Sequence, residues 1–229
     1  YPLNHAIALA VREATGTEPA ASSFEFTESE RNWVRKLGIE VVEGQVPVGR
    51  SDPEATQRWL HVEPGRAVVS LIGGTRVEIT GGSHATVDLP EHVRAAGDSG
   101  WVTQGWTVAL AMLHRGHLLI HGSAVQLGDA AVCVAGQSGA GKSTTALGLR
   151  SRGHRLLVDD VCIIDWPSGP SQPFVLPYRR GVHLTRPSAQ ALGVDFDGLP
   201  ALSAGRAKAT FFAEDPGPDP VPLATVVVV

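Results

Sequence analysis

Short runs of alternating hydrophobic and polar residues characterise the first part of the chain. Four of these runs have the length and the β-branched content of strands: residues 39–42, 67–72, 75–80 and 84–89. The last three runs are separated by Gly73-Gly74 and Gly81-Gly82, and glycine accepts the positive φ angles of two-residue hairpin turns. We therefore predict an antiparallel meander within a β-rich N-terminal domain over residues 1–98.

The periodicity becomes helical after residue 98. Apolar side chains between residues 101 and 114 recur at helical spacing, so we predict a helix that buries Trp101 and Trp106 in the core; the alternative is that the two rings stack on bases. Gly116 is expected to end this helix. A hairpin follows. Its strands are residues 117–127 and 130–135, and its tight turn is residues 128–129. Two Pro-rich segments are expected to be surface loops: residues 167–177 and 215–222. These elements form a predicted second domain over residues 99–229.

A glycine-rich sequence connects an apolar strand, residues 131–135, to a helix-forming stretch, residues 144–151. Its glycines allow successive backbone N–H groups to turn toward a polyphosphate, while Lys142 adds positive charge and Ser143 offers a hydroxyl to Mg²⁺. A plain strand-to-helix turn would need only one or two glycines. We predict that nine residues bind a nucleoside triphosphate with Mg²⁺: Gly136, Gln137, Ser138, Gly139, Ala140, Gly141, Lys142, Ser143 and Thr144.

A second apolar strand, residues 156–158, ends in two adjacent carboxylates, Asp159 and Asp160. One carboxylate can hold Mg²⁺, and the other can face an acceptor hydroxyl as general base. Adjacent strand residues point to opposite faces, so the two roles can be separate. The strand follows the predicted phosphate-loop helix directly, which predicts a compact βαβ unit with neighbouring strand ends. The alternative is an acidic strand end at a solvated turn.

Several other polar residues are candidates for the same site. His121 lies one strand before the glycine-rich loop, where it would orient a carboxylate or screen the paired charges; the alternative is a core histidine. Arg179 and Arg180 are candidates for clamping phosphate or a substrate carboxylate, and Arg206 and Lys208 are weaker ones. Surface solvation explains each of these cations as well.

Composition limits the class of protein. The 229 residues are 43% hydrophobic and 18% charged, with a net charge of −4, which is typical of a globular protein without a basic field for nucleic acid or membranes. No run approaches the ~20 apolar residues of a membrane span, and no signal peptide is recognisable. Cys133 and Cys162 are expected to be small buried hydrophobes in a reducing, cytoplasmic protein.

Three segments, taken together, resemble the HPr kinase family: residues 121–125, 136–143 and 152–160. The resemblance implies a P-loop kinase core related to phosphoenolpyruvate carboxykinase, ATP and Mg²⁺ as cofactors, and phosphorylation of serine on a small protein. Matched residue by residue, Lys142 is the phosphate-binding lysine and Ser143 the metal-binding hydroxyl. Asp159 and Asp160 are the pair for metal binding and acceptor activation, and His121 is the active-site histidine. The expected fold class is therefore α/β, with a smaller β-rich N-terminal domain.

The sequence also departs from the bifunctional members of that family. Their glycine-rich signature after the aspartates has no evident counterpart, because residues 175–181 differ, and phosphorylase activity is not expected. The layout is closer to the related kinases of peptide-modification pathways, some of which phosphorylate a serine of a lasso-peptide precursor. Related kinases are often oligomeric, so a homo-oligomer is compatible with this resemblance.

These features favour a kinase that phosphorylates a serine of a peptide or small protein, with no nucleic-acid or membrane partner. Two alternatives remain open. The same residues would serve a small-molecule hydroxyl kinase, which a closed polar acceptor pocket would indicate. A nucleotide-binding switch or assembly factor would need only one metal-binding carboxylate.

Overall fold

The structure is a computed structural model of the chain. It describes residues 34–47, 59–71, 74–95, 99–167, 169, 171–178, 181–200, 208–214 and 216–229. Among these residues, a first compact unit ends at Gly116 and a second begins at His117. Within the described part of the chain, no helix has the length and apolarity needed to cross a membrane.

The first unit contains a five-stranded sheet whose strands are β1 (Glu40–Glu43), β2 (Trp59–Glu63), β3 (Arg66–Ser70), β4 (Arg76–Thr80) and β5 (His84–Asp88). Their order is β1-β5-β4-β3-β2, and β1 is parallel to β5. The antiparallel pairing of β3, β4 and β5 confirms the predicted meander. The predicted two-residue turn at Gly81-Gly82 is wrong, because Thr80 pairs with His84 and leaves three residues in the loop.

Two helices follow this sheet, α1 (Glu91–Ala95) and α2 (Ser99–His114). The predicted helix is confirmed as α2, but it contacts β3, β4 and β5 and so belongs to the first unit. The compact units therefore divide after Gly116 and not at residue 98, because Val108, Leu110 and Met112 are buried there. Trp106 is 36% exposed, which differs from its predicted place in the core, and the side chain of Trp101 lies outside the described residues.

The second unit contains four elements around the glycine-rich loop: β6 (Leu118–Leu127), β7 (Ala130–Ala135), α3 (Lys142–Arg150) and β8 (Arg155–Val158). Six further elements complete it: β9 (Val161–Asp165), β10 (Phe174–Leu176), β11 (Val182–Leu184), α4 (Arg186–Ala191), β12 (Ala209–Phe211) and β13 (Val221–Val228). Its main sheet has the order β7-β13-β10-β9-β6-β8, and β7 also pairs with β6. The pairings β6–β7–β13–β10–β9–β6 therefore close into a ring.

Strand β6 is the centre of the site region. One half pairs with β9, and the other half pairs with β7 on one side and β8 on the other. Strands β7 and β8 are therefore parallel but not adjacent, which corrects the predicted neighbouring strand ends, because the β6–β7 hairpin places β6 between them. Gly122 pairs with Ala135 and Ala124 with Val158, so both strands end alongside the same stretch of β6.

The two segments predicted as Pro-rich surface loops contain strands. Val175 of β10 is fully buried and Val221 of β13 is 3% exposed, because both strands belong to the ring.

The predicted burial of the cysteines is confirmed: Cys133 and Cys162 are free thiols whose sulfur atoms lie 3.5 Å apart. The pKa of Cys162 is raised, mainly by the hydrogen bond with Cys133 and also by burial, so this thiol stays protonated at neutral pH.

Candidate active site

The loop between β7 and α3 depends on glycine. Gly139 and Gly141 have φ angles of 88° and 94°, in the left-handed region that glycine enters readily. A Cβ atom on Gly136 would lie 2.3 Å from the carbonyl oxygen of Val229, so only glycine fits there. Helix α3 begins directly after Gly141, and its first N–H groups have no acceptors within the helix. This is a cradle for an anion at a helix N-terminus.

Lys142 spans the loop. Its ammonium group donates hydrogen bonds to the carbonyl oxygens of Gly136, at 3.0 Å, and Gln137, at 2.8 Å. The residue is 7% exposed, so its side chain is held along the loop and not in solvent. Both acceptors are neutral, and the oxygens of a bound polyphosphate would be stronger partners for the ammonium group.

Asp159 connects three elements of the second unit. It follows β8 and is 2% exposed. Its Oδ1 atom accepts a hydrogen bond from the hydroxyl of Ser123, in β6. Its Oδ2 atom accepts one from the hydroxyl of Ser143, in α3, at 3.1 Å. The structure thus brings the predicted metal-binding hydroxyl and one predicted carboxylate into direct contact.

Asp160 has a different environment. Its φ angle is 74°, and the N–H of Val161 donates to the carbonyl of Asp159 at 3.0 Å, so the chain makes a γ-turn at Asp160. The carbonyl of Asp160 accepts from the N–H of Gly122 at 3.2 Å, which keeps the turn against β6. Its carboxylate lies 3.3 Å from Nε2 of His121, and the two side chains are 33% and 57% exposed. This carboxylate can be reached from solvent.

The remaining predicted residues are placed as follows. Gln137, Ser138, Gly139 and Ala140 are exposed in the loop. The hydroxyl of Thr144 donates to Ser188, at 3.1 Å, and this bond ties α3 to α4. Lys208 is described and exposed. Three candidate cations lie outside the described residues: Arg179, Arg180 and Arg206.

Sequence reasoning did not single out two residues that support the site. Ser123 lies two residues after His121 in the same strand, and a serine within an apolar buried strand was the available signal. Tyr178 is 3% exposed; its N–H donates to the carbonyl of Leu157 at 3.2 Å and its hydroxyl to the carbonyl of Val161 at 2.9 Å. These contacts lie on both sides of the acidic pair, and no sequence pattern indicates them.

The oxygen atoms at this site suit a hard divalent cation. The Ser143 hydroxyl and the Asp159 carboxylate supply the oxygen ligands that Mg²⁺ prefers. No group of three or more His, Cys, Asp and Glu side chains among the described residues could hold a metal ion. Mg²⁺ sites commonly use one or two protein ligands together with substrate phosphates.

Comparison with known proteins finds matches to the segment that contains the glycine-rich loop and both aspartates. Residues 112–168 match the family model described as the HPr serine kinase C-terminal domain. The HPr kinase/phosphorylase of Treponema pallidum is 41% identical over 66 residues, which are 29% of this chain and 19% of that protein. The HPr kinase/phosphorylase of Lactobacillus acidophilus is 56% identical over 41 residues, 18% of this chain and 13% of that protein.

A solved structure, the Hpr(Ser) kinase/phosphatase from Coxiella burnetii, matches with a TM-score of 0.28 and 17% identity over 49% of this chain and 80% of that one. The chain spans less than a fifth of the length of the curated relatives given above. The sequence matches show that residues 112–168 are similar to the HPr kinase C-terminal domain, as the resemblance predicted, and this segment contains the loop and both aspartates.

Proposed function

We propose that this protein is a kinase that transfers the γ-phosphoryl group of ATP, with Mg²⁺, to the serine hydroxyl of a peptide or small protein. One observation carries the proposal: the two carboxylates after β8 face different partners. Asp159 is buried against Ser143 of the phosphate loop, whereas Asp160 is a third exposed beside His121. This arrangement supplies a metal ligand and a separate base.

Nucleotide binding would use the loop. The N–H groups at the start of α3 and the Lys142 ammonium would hold the phosphates, and Lys142 would exchange its bonds to two neutral carbonyls for charged oxygens. Ser143 and Asp159 would hold Mg²⁺. When bound, that ion neutralises charge on the β- and γ-phosphates.

Asp160 would act as the general base. The acceptor serine loses its proton to the Asp160 carboxylate as its oxygen bonds to the γ-phosphorus, and the bond from that phosphorus to the bridging oxygen breaks to release ADP. His121 lies 3.3 Å from the same carboxylate and would orient it. Catalysis of this kind depends mainly on positioning and electrostatics.

The exposure of this side of the site favours a large acceptor. The side chains of His121 and Asp160 are 57% and 33% exposed, so the proposed base can be reached from solvent. The named relatives are kinases of HPr, which adds support for a peptide or protein acceptor. Within this class we propose a ribosomal precursor peptide, such as a lasso-type precursor, as the acceptor.

The test is to incubate the protein with γ-labelled ATP, Mg²⁺ and fractions of its native cell extract, with Asp160→Asn in parallel. We expect label on a peptide or protein band, and its loss in the variant, which keeps the shape of the side chain but lacks the base. Label on a low-mass compound would support the small-molecule kinase. Label found only as inorganic phosphate would support a nucleotide switch and contradict the proposal.

A further inference from the structure

Ser123 is a fully buried polar residue at the centre of the second unit. It pairs with Val134 of β7, and it is 0% exposed. Its neighbours along β6 are Gly122 and Ala124, neither of which carries a polar side chain. A hydroxyl in such a place requires a hydrogen-bond partner, since burial removes it from water. Its partner is Oδ1 of Asp159.

The Ser123 hydroxyl donates its single proton to Oδ1 of Asp159. The other oxygen, Oδ2, accepts from Ser143. Each oxygen of Asp159 thus has its own hydroxyl donor, and the two donors come from different elements, β6 and α3.

The two donors differ in what nucleotide binding would require of them. Ser143 belongs to the phosphate loop and, under the proposed function, would also offer a lone pair of its hydroxyl to Mg²⁺. Ser123 lies within the strands of the sheet, and its bond to Oδ1 does not depend on the loop. Oδ2 is then the oxygen left facing the phosphate loop.

We infer that Ser123 is a positioning residue, which orients the Asp159 carboxylate so that Oδ2 points to the metal-binding position beside Ser143. This inference rests on the proposed function. Partners of this kind, which hold a ligand without touching the metal, typically change metal affinity by about 10- to 100-fold when they are removed.

The test is Ser123→Ala, with Ser70→Ala as a matched control. Ser70 is also a fully buried serine, and it lies in the first unit. Calorimetric titration would measure binding of a non-hydrolysable ATP analogue, once with excess Mg²⁺ and once with EDTA. Urea unfolding would show that each variant is folded at the titration temperature.

We expect Ser123→Ala to weaken analogue binding in Mg²⁺ by about 10-fold or more and to leave binding in EDTA unchanged. The affinity of Ser70→Ala should equal that of the parent protein in both conditions. Equal weakening with and without Mg²⁺ would show a merely structural role and overturn the inference, as would Mg²⁺-dependent binding within twofold of the parent's. If the parent itself binds the analogue equally with Mg²⁺ and EDTA, the proposed function fails, and this inference fails with it.

Discussion

Asp160 has a backbone conformation that most residues avoid. Apart from the glycines, Asp160 is the only described residue with a positive φ angle, 74°. Such conformations cost on the order of 1–3 kcal/mol and persist where the surrounding structure enforces them. Here the enforcing contacts are the Gly122 N–H and the pairing of β8 and β9 with β6. We interpret the strain as the cost of aiming two adjacent carboxylates at different partners.

This interpretation gives a stability prediction for a matched pair of variants, Asp160→Gly and Asp160→Ala. Both lack the carboxylate, so both should lose phosphoryl transfer. We expect Asp160→Ala to be less stable by about 1 kcal/mol, because alanine has a Cβ that disfavours positive φ. Urea unfolding measures the difference; equal stability would contradict the strained turn.

Lys142 gives a second prediction at this scale. Replacing Lys142 with Ala removes the ammonium group that would neutralise the transferring phosphoryl, and we expect transfer to fall roughly 100-fold or more. The initial rate of ADP formation with acceptor measures this effect. Lys36→Ala is the control, since Lys36 is an exposed lysine of the first unit. A Lys142→Ala rate within a fewfold of the parent's would exclude a role in transfer.

The sequence predicts the glycine-rich loop and the acidic pair as parts of one site, and the structure brings Ser143 of the loop into contact with Asp159. Ser123 could not be predicted as a partner of Asp159, since the two are distant in sequence and meet only through the pairing of β6 with β8. Spacing along the chain contains no information on such contacts.

At the scale of elements, Tyr178 stabilises the turn between β8 and β9. Its backbone N–H bonds to Leu157 before the acidic pair, and its hydroxyl bonds to Val161 after it. The residue follows β10, which pairs with β9 in the ring. A neighbouring segment therefore fixes both sides of the γ-turn.

Tyr178→Phe should loosen this turn. It removes the hydroxyl that donates to the Val161 carbonyl, and we expect a loss of about 1 kcal/mol in unfolding free energy. Phosphoryl transfer should fall more than nucleotide affinity, because the lost bond is to Val161, next to Asp160, whereas Asp159 keeps its bonds to Ser123 and Ser143. Ser151→Ala, which removes an exposed side-chain bond to the Gly148 carbonyl, is the control. Unchanged transfer in Tyr178→Phe would rule out this supporting role.

The close approach of β6 and β7 gives a prediction about packing. A Cβ atom on Gly122 would lie 2.6 Å from the Val134 carbonyl oxygen, so Gly122→Ala should destabilise the protein by about 1–3 kcal/mol. Gly148 lies inside α3, where the nearest atom to an added Cβ is 3.7 Å away. Gly148→Ala should therefore stabilise by up to about 1 kcal/mol through helix propensity. Urea unfolding of both variants tests the opposite signs.

Elements with a clear local pattern were predictable, and others were not. The β6–β7 hairpin was predicted because its turn has Gly-Asp between two apolar runs. Strand β10 and the first residues of β13 were missed because prolines near them suggested loops, although ring closure buries Val175 and Val221. Pairing partners outside the local sequence decide such cases.

At the scale of the whole molecule, the sequence predicts α2 but not the unit to which it belongs. Helical periodicity shows that one face of α2 is apolar, and any sheet can bury such a face. The helix packs on β3, β4 and β5, so the first unit extends to Gly116. The described residues of the candidate site all lie in the second unit.

The central claim is that this second unit transfers phosphate to serine. The most direct test is phosphoamino-acid analysis of the acceptor band labelled with γ-labelled ATP and Mg²⁺, with EDTA and Asp160→Asn as controls. We expect phosphoserine that is absent from both controls. A labelled acceptor without phosphoserine, or the same phosphoserine with Asp160→Asn, would contradict the proposed mechanism.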